Sequence, residues 1–164
     1  MVKLKGMFTK RIALFVGTAL FLVAAGAVAE AATSRSGPIT KFDGTDEIVE
    51  ACTTSTNWVN MPQMTRTFTV GGTTSASVAS MFQGSLSLDS SHQFDTGFIR
   101  LTIDGNAQSP GTIPAIAPGE RGTHGFNWAS AALTTGSHTA RVQWRTDLGS
   151  SLCVDARSLL VLHR

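Results

Sequence analysis

The stretch Thr135-Gly136-Ser137-His138-Thr139-Ala140-Arg141-Val142-Gln143-Trp144-Arg145 decides how this chain folds. On an extended backbone His138, Ala140, Val142 and Trp144 point one way, and Thr139, Arg141, Gln143 and Arg145 point the other. A helix would scatter the same residues around its whole circumference. The segment therefore reads as a strand with one apolar and one polar face, entered through a Thr-Gly-Ser turn.

The same period of two recurs outward from it. Met64, Arg66, Phe68 and Val70 share a face opposite Thr65, Thr67 and Thr69, and Gly71-Gly72 ends that run. Val78, Ser80, Phe82, Gly84, Leu86 and Leu88 alternate next, with Gly84 standing where a bulge would interrupt a long strand. Ile99, Leu101 and Ile103 oppose Phe98, Arg100 and Thr102, and Asp104-Gly105-Asn106 is hairpin chemistry. Pro110, Gly111, Pro114, Pro118 and Gly119 break the pattern into a loop with one short edge strand around Ile113 to Ile116. His124, Phe126 and Trp128 alternate after it. Asp147 to Ser151 turns the chain into Ser158 to Arg164, whose Leu159, Leu160, Val161 and Leu162 fit a strand buried on both faces. Some eight to nine short strands at intervals of roughly 8 to 12 residues predict a single all-β antiparallel sandwich or jelly roll.

Residues 1–31 read differently. Lys3, Lys5, Lys10 and Arg11 precede an apolar run from Ile12 to Val23, and Ala27-Val28-Ala29 and Ala29-Glu30-Ala31 each offer small residues for cleavage. This predicts a signal-peptide helix, a flexible linker over 32–41 and a β-sandwich domain over 42–164. It also predicts a secreted protein, extracellular or in the periplasm or cell envelope, with an uncleaved leader as the one membrane alternative. Four of the 13 Lys and Arg residues lie in the leader, so cleavage after Ala29 leaves nine basic against 11 acidic residues. The remaining basic residues are scattered singly, which argues against nucleic acid as a partner.

Cys52 and Cys153 are the two cysteines, 101 positions apart. In an oxidising compartment they form a disulfide that joins the start of the domain to its end. A loop of roughly 100 residues closed in this way restricts the unfolded chain by about 4.7 kcal/mol. The alternatives, a thiol nucleophile or a zinc pair, lack the flanking His or Cys spacing that such sites use.

Candidate chemistry is sparse. His92, His124, His138 and His163 match no local ligand motif; His124 and His138 on neighbouring strands, with Asp104 or Asp155, are the metal or catalytic possibility. For His138, sharing a face with Val142 and Trp144, a hydrogen-bonded, half-buried histidine is the simpler account. No Ser stands in a recognisable frame with a His and an acid. Asp43, Asp46, Glu47 and Glu50 read as a solvated charged segment, with calcium as the alternative. Trp58, Trp128 and Trp144 carry the best case for a ligand, because aromatic faces stack on sugar rings. Trp144 reads as core. Trp58, in the loop-like Thr56-Asn57-Trp58-Val59-Asn60-Met61-Pro62, is the candidate platform, with Asn57 and Asn60, or Gln143 and Arg145, as polar partners.

The strand-and-turn patterns of residues 136–149 and 153–164, with Phe98 to Gln108, resemble exported bacterial β-sandwich proteins of the jelly-roll kind and, distantly, C1q and tumour-necrosis-factor modules. The resemblance implies a fold and no catalytic residue. The function expected is a non-catalytic secreted module with an interaction or structural role, meeting a protein or glycan partner and using no cofactor. A small carbohydrate-binding module is the alternative, and a metal-dependent or hydrolytic enzyme ranks below both.

Overall fold

A computed structural model describes residues 41–164; the predicted leader and nearly all of the predicted linker lie outside the described residues. The strands are β1 (Lys41–Glu47), β2 (Ala51–Thr53), β3 (Val59–Val70), β4 (Ala79–Leu88), β5 (Gly97–Ile103), β6 (Asn106–Ala107), β7 (Ile113–Ile116), β8 (Arg121–Ala129), β9 (Gly136–Thr146) and β10 (Leu152–His163). One sheet, here sheet A, runs β1-β10-β4-β8 with β2 also on β10; sheet B runs β3-β9-β5-β6 with β7 also on β5. Every pairing is antiparallel.

The pairing order is nested. β1 pairs with β10, β3 with β9, β4 with β8 and β5 with β7, and successive pairs fall alternately in sheets A and B. A long hairpin wrapped around itself gives this order, which is the jelly roll. Its tip is β5–β7 and its open end is β1–β10. The first and last strands are therefore neighbours, and Cys153 stands opposite Cys52 in the β2–β10 ladder with the two sulfurs bonded.

The inner faces of the two sheets make one core. Phe82, Leu86, Trp128, Leu152, Val154, Leu159 and Val161 from sheet A meet Phe68, Ile99, Leu101, Val142 and Trp144 from sheet B. Each of these residues occupies an alternate strand position, so a shift of one residue in any register would turn that strand's apolar set to water.

Several local expectations need correction. Leu159 and Val161 are buried, but Leu160 and Leu162 are only half-buried: β10 is central within sheet A, yet sheet B covers one side of it alone. The extra residue lies not at Gly84 but on β10, between Val154 and Arg157, opposite the uninterrupted β4. Gly84 serves close packing, since a Cβ there would lie 2.9 Å from Phe82 and 3.0 Å from Val154. Asp43, Asp46 and Glu47 form part of the edge strand β1, where they remain partly or fully exposed, and charge on an edge discourages pairing with other chains. Lys41 is already in that strand, opposite His163.

Candidate functional site

Trp58 and Asn60 are placed by an irregularity in β3. Asn60 stands opposite Gln143 and Thr65 opposite Arg141, so β3 takes five steps while β9 takes two. Met61 and Met64, three apart, are consequently both buried at 1% and 0% exposure. A regular strand would have turned one of them outward. Gln63 absorbs the excess chain with a φ of 62°, and the buried Arg157 donates from Nε to the Pro62 carbonyl at 3.2 Å.

Ahead of the bulge, Val59 lies opposite the buried Trp144, so Trp58 and Asn60 face outward from sheet B. Phe98 stands opposite Arg145, and Arg100 opposite Gln143. Register thus assembles a plate from β3, β9 and β5 and the residue preceding β3. The Arg100 guanidinium lies 4.3 Å from the Trp58 ring centre; that of Arg145 lies 5.3 Å from Trp58 and 4.6 Å from Phe98. Arg100 Nε donates to Gln143 Oε1 at 2.9 Å, and Gln143 Nε2 donates to Asn60 Oδ1 at 2.9 Å. Arg145 donates to Asp147, with which it forms an ion pair, and to the Thr146 carbonyl. Burial lowers the Arg100 pKa, and the neighbouring Arg145 charge lowers it further.

Asn57 sits apart in the preceding bend, exposed, with its N–H on Ser55 Oγ at 3.1 Å. Phe98 and Arg100 were not singled out from sequence as binding residues. Their alternation placed them on the outer face, but the β5–β9 register that puts them beside Trp58 is not encoded in any short motif.

The plate rests on a well-held loop. Asp95, 1% exposed, accepts N–H groups from Thr96, Asp147, Leu148 and Ser150 at 2.7, 2.7, 2.9 and 2.7 Å. Burial pushes its carboxyl up, but the donors, those of Ser150 and Leu148 foremost, outweigh this and bring it to about 2. The same carboxylate thereby fixes the backbone of Asp147, the partner of Arg145.

The histidines do not converge. β8 and β9 lie in different sheets, so His124 and His138 are not on neighbouring strands. His124 stacks on Phe126, and Asp155 pairs with Arg121 at 2.8 Å. His138 is buried, with Nδ1 2.7 Å from Asp104 and Nε2 2.8 Å from the Thr134 carbonyl. Both partners are acceptors, so the site suits an imidazolium, which donates from both ring nitrogens. The Asp104 hydrogen bond accordingly raises its pKa against the opposing effect of burial. His163 Nε2 meets Asp43 at 2.8 Å, and Asp43 also pairs with Arg66 at 3.6 Å.

One grouping was missed in sequence. Ser91 lies 3.4 Å from His92 Nδ1, but its hydroxyl donates to Asp89 at 2.5 Å. The proton is thus directed to the acid rather than the imidazole, and Asp89 also accepts the Ser151 N–H, which makes the group a loop clamp. Among the described residues, the His, Cys and carboxylate cluster tight enough for a metal is Glu50 with Cys52 and Cys153, whose sulfurs are bonded to each other.

No protein-family model matches the chain, and no curated protein matches it. Solved structures match in fold. The VP2 subviral particle protein of infectious bursal disease virus aligns at a TM-score of 0.51 and 11% identity, over 84% of this chain and 36% of that one. The Gt strain of the same virus gives 0.51 and 9%, over 83% and 35%. A CBM36-1 domain of a xylanase from the hindgut metagenome of Trinervitermes trinervoides aligns at 0.37 and 12%, over 71% and 96%. The chain thus spans about a third of the viral proteins' length, and at these identities the likeness establishes the jelly-roll fold.

Proposed function

We propose that the domain is an exported, non-catalytic binding module that docks a saccharide on the outer face of sheet B at Trp58. The observation that carries this reading is the plate itself. Two aromatic rings, two guanidinium groups and two side-chain amides, from Trp58, Phe98, Arg100, Arg145, Gln143 and Asn60, lie contiguous on one open sheet face. Sugar recognition combines apolar ring stacking with a few oriented polar groups, and this surface offers both. Arg100 and Arg145 lie against the Trp58 ring and Gln143 ties Arg100 to Asn60, so the polar groups are preorganised and little side-chain entropy remains to be lost on binding. Export is supported by the basic-then-apolar leader and by a disulfide that suits an oxidising compartment.

The test is binding to a polysaccharide panel by pull-down and glycan array. Trp58→Ala should abolish retention while the circular dichroism spectrum stays that of the parent. A folded parent protein that retains no saccharide contradicts the reading.

A further inference from the structure

Charge on the plate is unbalanced. Among the described residues Arg145 has a carboxylate partner, Asp147, whereas Arg100 has none. Arg100 spends its Nε on Gln143 and holds its guanidinium carbon 4.3 Å from the Trp58 ring centre. Its two Nη groups make no hydrogen bond with the described residues, yet the side chain is half-buried and close to a second guanidinium. Holding like charges together on a partly desolvated surface is unfavourable, and Asp147 offsets Arg145 alone, leaving Arg100 without an anion among the described residues. The rest of the domain gives this local excess meaning: acidic residues outnumber basic ones once the leader is set aside, so a general cationic surface does not account for it.

Resting on the saccharide reading above, we propose that the ligand is a uronate-containing polysaccharide whose carboxylate is held by Arg100. The planar guanidinium presents paired donors that match a carboxylate's two oxygens, and the contact is charge-assisted. Trp58 carries the pyranose ring beside it. Asn60 and Gln143 lie one strand pair away along the same face, in reach of ring hydroxyls. Arg145, already neutralised by Asp147, fills the gap between Trp58 and Phe98 and acts as a positioning residue.

Calorimetric titrations of the intact protein with oligogalacturonate, oligoalginate and hyaluronan fragments, each against its carboxyl-esterified form, test the assignment. The expected result is binding of at least one acid that weakens on the order of tenfold or more on esterification, and that weakens with added salt. Arg100→Gln should reduce acid binding until the variant no longer distinguishes acid from ester. Trp58→Ala should remove both. Acid and ester bound equally, or Arg100→Gln without effect on the acid, overturns the carboxylate assignment and leaves the saccharide reading standing. Retention of neutral or sulfated polymers in preference to every uronate also overturns it. No binding of any saccharide by the folded parent removes both readings together.

Discussion

Removing the Cys52–Cys153 bond should cost this domain a large share of its stability without changing its fold. The bond closes 101 positions of chain, and a loop of that size restricts the unfolded ensemble by about 4.7 kcal/mol at 25 °C. The native state needs little rearrangement to accept it, because the two residues already oppose each other in the β2–β10 ladder. Without the bond, β2 retains three residues of pairing and should fray at its edge. A loss of about 3 to 5 kcal/mol compares with a total of roughly 5 to 15 kcal/mol for ordinary domains. With unfolding entropy near 2.1 cal/mol/K per residue, a domain of about 120 residues should lose on the order of 15 °C in Tm. Urea unfolding of the oxidised protein and of the Cys52→Ala/Cys153→Ala double variant measures this directly. The variant should also show a larger m-value, because its unfolded chain opens further. A loss below about 1 kcal/mol with an unchanged m-value would refute the argument that the bond acts on the unfolded chain.

Asp95→Ala removes the shared acceptor of four N–H groups, that of Ser150 buried and those of Thr96, Asp147 and Leu148 partly buried, and should destabilise by about 3 kcal/mol, read by denaturant melts. In the parent, the Asp95 carboxyl sits at about 2 against 3.8 unfolded. That depression contributes about 2 kcal/mol, present above about pH 4 and lost as pH falls towards 2, so acid melts of the parent should steepen there. His138 has the opposite sign. Its raised pKa gives stability fully present below 6.5 and lost as pH climbs through the folded value, so Tm should fall on the alkaline side in the parent and less so in His138→Asn. Equal slopes in the two proteins would remove the imidazolium from the account.

The strands were legible because burial of one face imposes a period of two. His138 to Trp144 alternate in the structure as they do in the sequence, and the Asp104-Gly105 turn has the positive φ values, 51° and 83°, that such a hairpin demands. Edge elements were less legible. β1 and β2 bury little, so Asp43, Asp46, Glu47 and the short Ala51–Thr53 run carry no apolar alternation to betray them. Sequence drew attention to Trp58 as an aromatic outside the strand pattern, but its surroundings depend on two long-range registers, β3–β9 and β5–β9, and on a bulge. That bulge is set by the need to bury both Met61 and Met64. The clasp of Asp95 on the loop after β9 is equally non-local, spanning more than 50 positions.

The most direct test of the proposed binding face is a chemical-shift map of the nitrogen-15-labelled protein titrated with the saccharide that it retains. The Trp58 indole N–H, the Arg100 and Arg145 Nε–H signals and the Asn60 and Gln143 amides should move together, with sheet A unaffected. Shifts centred instead on the outer face of sheet A, around Phe42, Met81, Leu160 and Leu162, would contradict it.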